Sequence, residues 1–277
     1  MIVRPVTGTL ITVAPTGAEH TKSEVPALPV TLEELVDTAR ECERLGAAMV
    51  HVHVRDDLGL PTLDPVRLGE AVDALHAETH LVVQLSTGGA VTDPESDRLA
   101  VLDTLPDSAS CTMGTVNFGD EVFLNRWQLI VALHQGMQER RIVPEYEIFD
   151  IGQLASLRRL LDEHGAPAGG HVQVNFVMGV PGGMPGDTAT LVAAVAALPP
   201  GASFSATGIG RTHLPVALAA LSAGGHLRVG MEDTLNFARG RRVTGNAELV
   251  ARAAELARMA QRPPLSSDEG RTLLGAS

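Results

Sequence analysis

The chain has 277 residues, of which 44% are hydrophobic, 19% charged and 3% aromatic, and its formal net charge is -12. This is ordinary globular usage with enough aliphatic material for a sizeable core, and an acidic, aromatic-poor chain without a Lys/Arg-rich run is unsuited to nucleic acid. Arg4-Pro5 and Gly8 interrupt any apolar signal-peptide core, and no long uncharged stretch is free of Pro and Gly, so neither secretion nor membrane insertion is expected.

In chain order, a strand at 10–13 precedes a helix over 31–45, with Thr31 as its N-cap, Glu33 and Glu34 at its positive end and Gly46 as its stop. A strand at 49–54 leads to a helix over 64–76, and a strand at 81–85 to a helix from residue 94. The rhythm continues with a weak strand at 110–113 and a helix from 125, then a strand at 145–148 and a helix from 153. Strands at 172–177, 203–206 and 226–229 are followed by helices over 187–197, 214–223 and 246–261. The tail 266–277 is expected as a short docked helix or a frayed end. Eight sequential βα units without a break in composition predict a single-domain (β/α)8 TIM barrel over 1–277 rather than a Rossmann sheet. Cys42 and Cys111 lack CxxC spacing and are expected as buried apolar fillers, which suits a reducing cytoplasm.

Function in such a barrel gathers at the C-terminal ends of the strands. His51-Val52-His53 places two imidazoles on one face of the second strand, their Cβ atoms roughly 7 Å apart, within reach of one metal ion. The bland alternative is a hydrogen-bonded histidine pair filling the barrel. Glu232, at the end of the eighth strand, is placed to be the third ligand. A two-His, one-carboxylate set leaves positions open for substrate, as in a catalytic site.

Ser86-Thr87-Gly88-Gly89, after the third strand, offers hydroxyls and open amides to an anion, or else only a tight turn. The segment Val180-Pro181-Gly182-Gly183-Met184-Pro185-Gly186 reads either as a mobile loop over the mouth or as a rigid turn. Arg228 and Asp233 flank Glu232 and read either as an anion stabiliser with a proton acceptor or as an internal ion pair. Glu147, on the fifth strand, either orients a histidine or serves as a base. His20, His76, His80, His134, His164 and His213 are expected in surface or satisfied structural roles.

The pieces Ile11-Thr12-Val13-Ala14 with Gly17-Ala18-Glu19, Val50-His51-Val52-His53-Val54-Arg55-Asp56, Gln84-Leu85-Ser86-Thr87-Gly88-Gly89, Gly114-Thr115-Val116-Asn117-Phe118-Gly119-Asp120, Pro144-Glu145-Tyr146-Glu147-Ile148-Phe149-Asp150 and Gly225-His226-Leu227-Arg228-Val229-Gly230-Met231-Glu232-Asp233 stand in one order along nearly the whole chain. In that order the sequence resembles the β-keto acid cleavage enzymes. The resemblance implies a zinc-containing TIM barrel, a homotetramer, that converts a β-keto acid and acetyl-CoA into acetoacetate and a new CoA thioester. It implies His51, His53 and Glu232 as metal ligands, and Asp233, Ser86, Arg228 and Glu147 as catalytic residues. Thr115, Gly88, Gly89 and Glu19 would hold substrate. Leu85 stands where the family often has Pro and Thr234 where Asn is common, which bears on pocket shape. Rival readings are a metal-dependent aldolase, lyase or hydrolase working without CoA, and a barrel retained only to bind a ligand.

Overall fold

Runs of β-branched and aliphatic residues alternate with amphipathic segments, and this alternation closes the chain on itself. The computed structural model describes residues 7–276; Arg4, Pro5 and Ser277 lie outside the described residues. The barrel strands are β1 (Ile11–Val13), β2 (Met49–Val52), β3 (Val82–Leu85), β4 (Ser108–Thr112), β5 (Val143–Ile148), β6 (Gln173–Met178), β7 (Ser203–Gly208) and β8 (His226–Val229). They run parallel in sequence order, and β8 pairs back onto β1.

Around them lie α1 (Leu32–Leu45), α2 (Pro65–Glu78), α3 (Glu95–Ala100), α4 (Trp127–Arg140), α5 (Gln153–His164), α6 (Thr188–Ala196), α7 (His213–Ser222) and α8 (Asn246–Met259). Thr31 and Glu34 form a reciprocal capping box on α1, and Gly46 ends that helix in the left-handed region. The tail forms α9 (Ser267–Leu274), capped in the same way by Ser266 and Glu269. Leu265 and Leu274 pack with Leu10, Met49, Val82 and Val143 to seal the N-terminal end of the barrel, so the tail is docked rather than frayed.

Several boundaries differ from the sequence reading, among them the end of β2 at Val52 and the start of β5 at Val143. Strand β4 begins at Ser108. The helix after β3 is short and runs on as a 3-10 turn over Val101–Thr104. Three antiparallel hairpins also decorate the loops, pairing Val54–Arg55 with Pro61–Thr62, Val116–Phe118 with Glu121–Phe123, and Asn236–Ala238 with Arg241–Arg242. With two or three residues per strand they are too short to impose a hydrophobic period on the sequence.

The strands divide the interior by chemistry. Val50, Val52, Val83, Leu85, Cys111, Tyr146, Val174, Phe176 and Leu227 face outward and join helix residues such as Leu35, Leu68, Leu133 and Leu157 in one apolar layer. Alternate positions face inward and are largely polar: His51, Gln84, Ser108, Ser110, Thr112, Glu145, Glu147, Gln173, Asn175, Ser205, Thr207 and Arg228 are all buried. Cys42 and Cys111 are buried free thiols, as expected. The described residues contain no helix long and apolar enough to cross a membrane.

Within this polar lumen Glu145 is poorly provided for. Its Oε2 accepts a 3.3 Å hydrogen bond from Ser205, while Oε1 is buried without a partner. Burial, reinforced by Glu147, pushes its carboxyl from 4.5 up to about 7. A raised carboxyl favours the protonated native state, so its contribution is complete below pH 4.5 and is lost as pH rises towards 7. Glu145→Gln should therefore melt above the wild type at pH 8, by a margin on the order of 3 kcal/mol, and converge with it in acid. Identical melting of the two proteins at pH 8 would remove Glu145 from this role.

Candidate metal centre and active-site mouth

Glu232 owes its position to two glycines. At Gly230 a Cβ would lie 1.9 Å from the Ala14 carbonyl oxygen, so only glycine lets the chain leaving β8 cross the end of β1. Glu232 N–H then donates to that same Ala14 carbonyl at 3.2 Å. Gly17, with φ +63°, packs beneath the side chain, where a Cβ would stand 2.6 Å from Glu232 Cγ. Arg55 is buried and donates to the Gly17 carbonyl at 2.6 Å and the His20 carbonyl at 2.9 Å, fastening the loop in place.

Facing this carboxylate are His51 on β2 and His53 just past its end, their ring centroids 5.3 Å apart. Their Nε2 atoms lie 3.8 and 3.7 Å from Glu232 Oε1. Ligand atoms of all three residues fall within 4.8 Å of one another, the spacing of groups that can share one cation. Gln84 sets the tautomer of His51: its amide nitrogen donates to Ser108 Oγ at 3.1 Å, so its Oε1 accepts from His51 Nδ1 at 2.6 Å. The lone pair of His51 is thereby left on Nε2, towards Glu232. Burial lowers both imidazoles, His51 to about 3, which keeps them neutral and able to ligate.

Beside this trio Arg228 is buried among three carboxylates. It grips Asp233 through Nε at 3.2 Å and Nη2 at 3.0 Å, meets Glu147 at 3.3 Å through Nη1, and hydrogen-bonds Glu232 Oε1. Burial raises Asp233, to about 7, with Arg228 opposing and Glu232 adding to the rise. Burial likewise raises Glu147. Burial also acts to raise Glu232, but Arg228 and the two histidines overcome it and hold that group at about 2. One guanidinium faces three carboxylates, two of them buried and Glu232 half-buried, and Glu232 Oε2 has no hydrogen-bond partner. Two neutral imidazoles, an orphaned carboxylate oxygen and a local excess of negative charge together suit a divalent cation.

These groups open into a cavity of about 690 Å³ at the C-terminal mouth, lined also by Ser86, Gly88, Gly89 and Glu19. Ser86 is buried and its Oγ accepts the Gly88 N–H at 3.1 Å. Thr87 turns away, bonded through its N–H and hydroxyl to Ser110. Thr115 is exposed, does not line the cavity, and uses its hydroxyl to accept the Asn125 N–H at 3.0 Å. Glu19 is exposed at the rim, and half-buried His20, expected in a surface or structural role, joins the lining there. His134 pairs through Nδ1 with the Tyr146 hydroxyl at 2.9 Å and His213 through Nδ1 with the Gly210 carbonyl at 2.7 Å, but the Nε2 of each is buried without a partner, so neither ring is fully satisfied.

The segment 180–186 is a fastened turn. Pro181 accepts from Gly119 N–H at 3.0 Å, and Met184 N–H donates to the Phe149 carbonyl at 2.7 Å. Phe123, Phe149, Val177 and Val180 form an apolar wall opposite the charged groups.

Several supporting residues escaped the sequence reading. Glu147 orients no histidine; it pairs with Arg228 and accepts from Thr112 Oγ1 at 2.9 Å, while Gln84 does the orienting. Gln84 and Thr112 alternate inward from their strands, and a polar residue at an inward position was the available signal. Arg98, also buried, donates to the Thr87 carbonyl at 2.7 Å, the Leu124 carbonyl at 2.7 Å and Asn125 Oδ1 at 2.5 Å, tying the cradle loop to the neighbouring hairpin. Nothing in its sequence neighbourhood announces that.

Fold and site define a (β/α)8-barrel protein with a His-His-Glu centre able to hold a metal ion at the mouth where barrel enzymes carry their chemistry. More narrowly, the chain belongs to the beta-keto acid cleavage enzyme family, whose family model matches residues 9–276. It is 38% identical over 274 residues to the 3-keto-5-aminohexanoate cleavage enzyme of Acetoanaerobium sticklandii, covering 97% of this chain and 98% of that one. It is 33% identical over 270 residues to the 3-oxoadipate:acetyl-CoA acetyltransferase of Cupriavidus necator, covering 96% and 94%. Among solved structures, apo ObcA has the same fold with a TM-score of 0.78 at 21% identity, covering 91% of this chain and 66% of that longer one.

Elemental analysis of the purified protein should find a tightly held divalent metal, and Glu232→Gln should lose it. Gln84→Leu, which frees the His51 ring, should weaken metal affinity by roughly 10–100-fold without unfolding the barrel. Metal content indistinguishable from wild type in both variants would mean that this trio is not the metal site.

Proposed function

We propose that the chain is a zinc-dependent β-keto acid cleavage enzyme that condenses a β-keto acid with acetyl-CoA and releases acetoacetate and a new acyl-CoA. The observation that carries this reading is the convergence of His51, His53 and Glu232 on one point, directly beside Asp233 and Arg228, in one cavity. The acetyl-CoA half is supported by relatives named for that cosubstrate, the Cupriavidus necator enzyme among them.

Zn²⁺ on the three ligands would supply the Lewis acidity that makes a carbanion next to a carbonyl tolerable near neutral pH. Ser86 and the amides of Gly88 and Gly89 are the groups available to bind the substrate carboxylate. Asp233, a buried base held in place by two bonds from Arg228, takes a proton from C2 of the keto acid. The C2 carbanion attacks the acetyl carbonyl and forms a carbon-carbon bond, and the CoA thiolate leaves. That thiolate then adds to the original keto carbon. The bond from this carbon to C2 breaks, giving acyl-CoA, and Asp233 returns its proton to C2 of acetoacetate. Arg228 offsets the negative charge that moves between these centres, and Glu147 keeps it aimed.

The apolar wall of Phe123, Phe149, Val177 and Val180 excludes water from the carbanion and suits a hydrocarbon arm on the keto acid, with Glu19 at the outer rim for a cationic end.

Incubated with acetyl-CoA and a panel of β-keto acids, the protein should release acetoacetate together with a matching acyl-CoA detectable by mass spectrometry. Product formation that persists when acetyl-CoA is omitted would instead identify a CoA-independent lyase. Asp233→Asn should keep the metal and lose turnover by roughly 100-fold or more; near-normal turnover in that variant would exclude Asp233 as the proton acceptor.

A further inference from the structure

No glycine-rich phosphate loop of the GxxxxGK[ST] kind occurs in the sequence, so a nucleotide-bearing cosubstrate must be recognised by other means. The rim of the cavity carries Glu19 on the loop after β1 and further charged side chains on two hairpins. On one side are the acidic residues Asp120 and Glu121, on the hairpin after β4; on the other is Arg242, on the hairpin after β8. The second hairpin carries Arg239, Arg241 and Arg242 within four residues, in a chain whose net charge is -12.

Of its three arginines one braces the hairpin, helped by an arginine of α8, and two do not. Arg241 stacks over Phe237 at 4.1 Å and pairs with Glu248 on α8. Arg252, from α8, covers the same ring at 4.5 Å and donates to the Phe237 carbonyl. The hairpin is thus clamped to a helix. Arg239 and Arg242 are exposed and have no carboxylate partner among the described residues. The hairpin is also continuous with the catalytic segment: Asp233, Thr234, Leu235, Asn236 and Arg242 line one side of the cavity in succession.

We propose that Arg239 and Arg242 form the docking site for the phosphate groups of acetyl-CoA, and that the pantetheine arm runs inward past Leu235 to present the thioester beside Asp233. Guanidinium forks are the side-chain groups best matched to phosphate oxygens. Asp120 and Glu121 repel the same phosphates from the opposite rim and so set the direction in which the cosubstrate lies. This inference rests on the acetyl-CoA reading given above, but it makes a claim of its own about binding.

Calorimetric titration of the metal-loaded protein with CoA tests that claim without turnover. In Arg239→Ala/Arg242→Ala the dissociation constant for CoA should rise roughly tenfold or more, as expected for losing hydrogen bonds between charged groups. In the wild type, raising NaCl should weaken CoA binding far more than it weakens binding of pantetheine, which lacks the phosphates. An unchanged CoA affinity in the double variant, or an equal salt response for the two ligands, overturns the proposal. A wild type that binds CoA through the hairpin yet releases no acetoacetate keeps this site and loses the acyl-transfer reading instead.

Discussion

A guanidinium buried inside a barrel with three carboxylates around it is the constraint on which the mouth of this protein is built. Arg228 reaches Glu147 on β5 and both Glu232 and Asp233 in the segment after β8, so one side chain fixes groups from opposite sides of the lumen. Burying an ion costs several kcal/mol unless its partners are well aligned, and here each acidic residue is positioned by something besides Arg228, through its carboxylate at Glu147 and through its backbone at Glu232 and Asp233. Thr112 holds Glu147, the backbone at Ala14 holds the Glu232 segment, and Gly230 with Gly210 holds the turn at Asp233. The arrangement leaves surplus negative charge at one point, and the two neutral histidines stand beside it.

The polar lumen follows from that arrangement. Branched aliphatic side chains often fill the interior of such barrels, but an apolar filling would leave Arg228 and its acids unpartnered. In this chain the inward positions carry Gln, Ser, Thr, Asn and Glu, which hand hydrogen bonds from strand to strand, as in the Thr207–Asn175 and Gln84–Ser108 links. The apolar layer that stabilises the fold lies outside the strands, and the docked tail closes the end away from the site. Stability and chemistry are thereby assigned to opposite faces of the same strands.

Two other buried arginines carry this logic into the loops. Arg55 and Arg98 bond mainly to backbone carbonyls, converting loops that would otherwise be mobile into fixed walls of the cavity. The turn at 180–186 is fastened in the same spirit by backbone bonds to its neighbours. A carbanion next to a carbonyl is short-lived in water, and rigid walls with an apolar side suit the reaction proposed for this site.

Alternation and punctuation in the sequence were enough to determine the eight βα units, the capping of α1 at Thr31 and Gly46, and the pairing of His51 with His53 on one face of β2, because these depend on neighbours within a few residues. The ordered motifs were also enough to point to the family and to single out Glu232 as the partner of the two histidines. Tertiary structure alone decided that Gln84 rather than Glu147 orients His51, that Thr115 stays out of the cavity while Thr112 bonds Glu147 in its lining, and that Arg55 and Arg98 hold loops. It alone placed the 236–242 hairpin on the cavity rim. The side-chain contacts among them join residues 10 to 38 positions apart, whose partners are fixed only once barrel closure sets the register of every strand against the next.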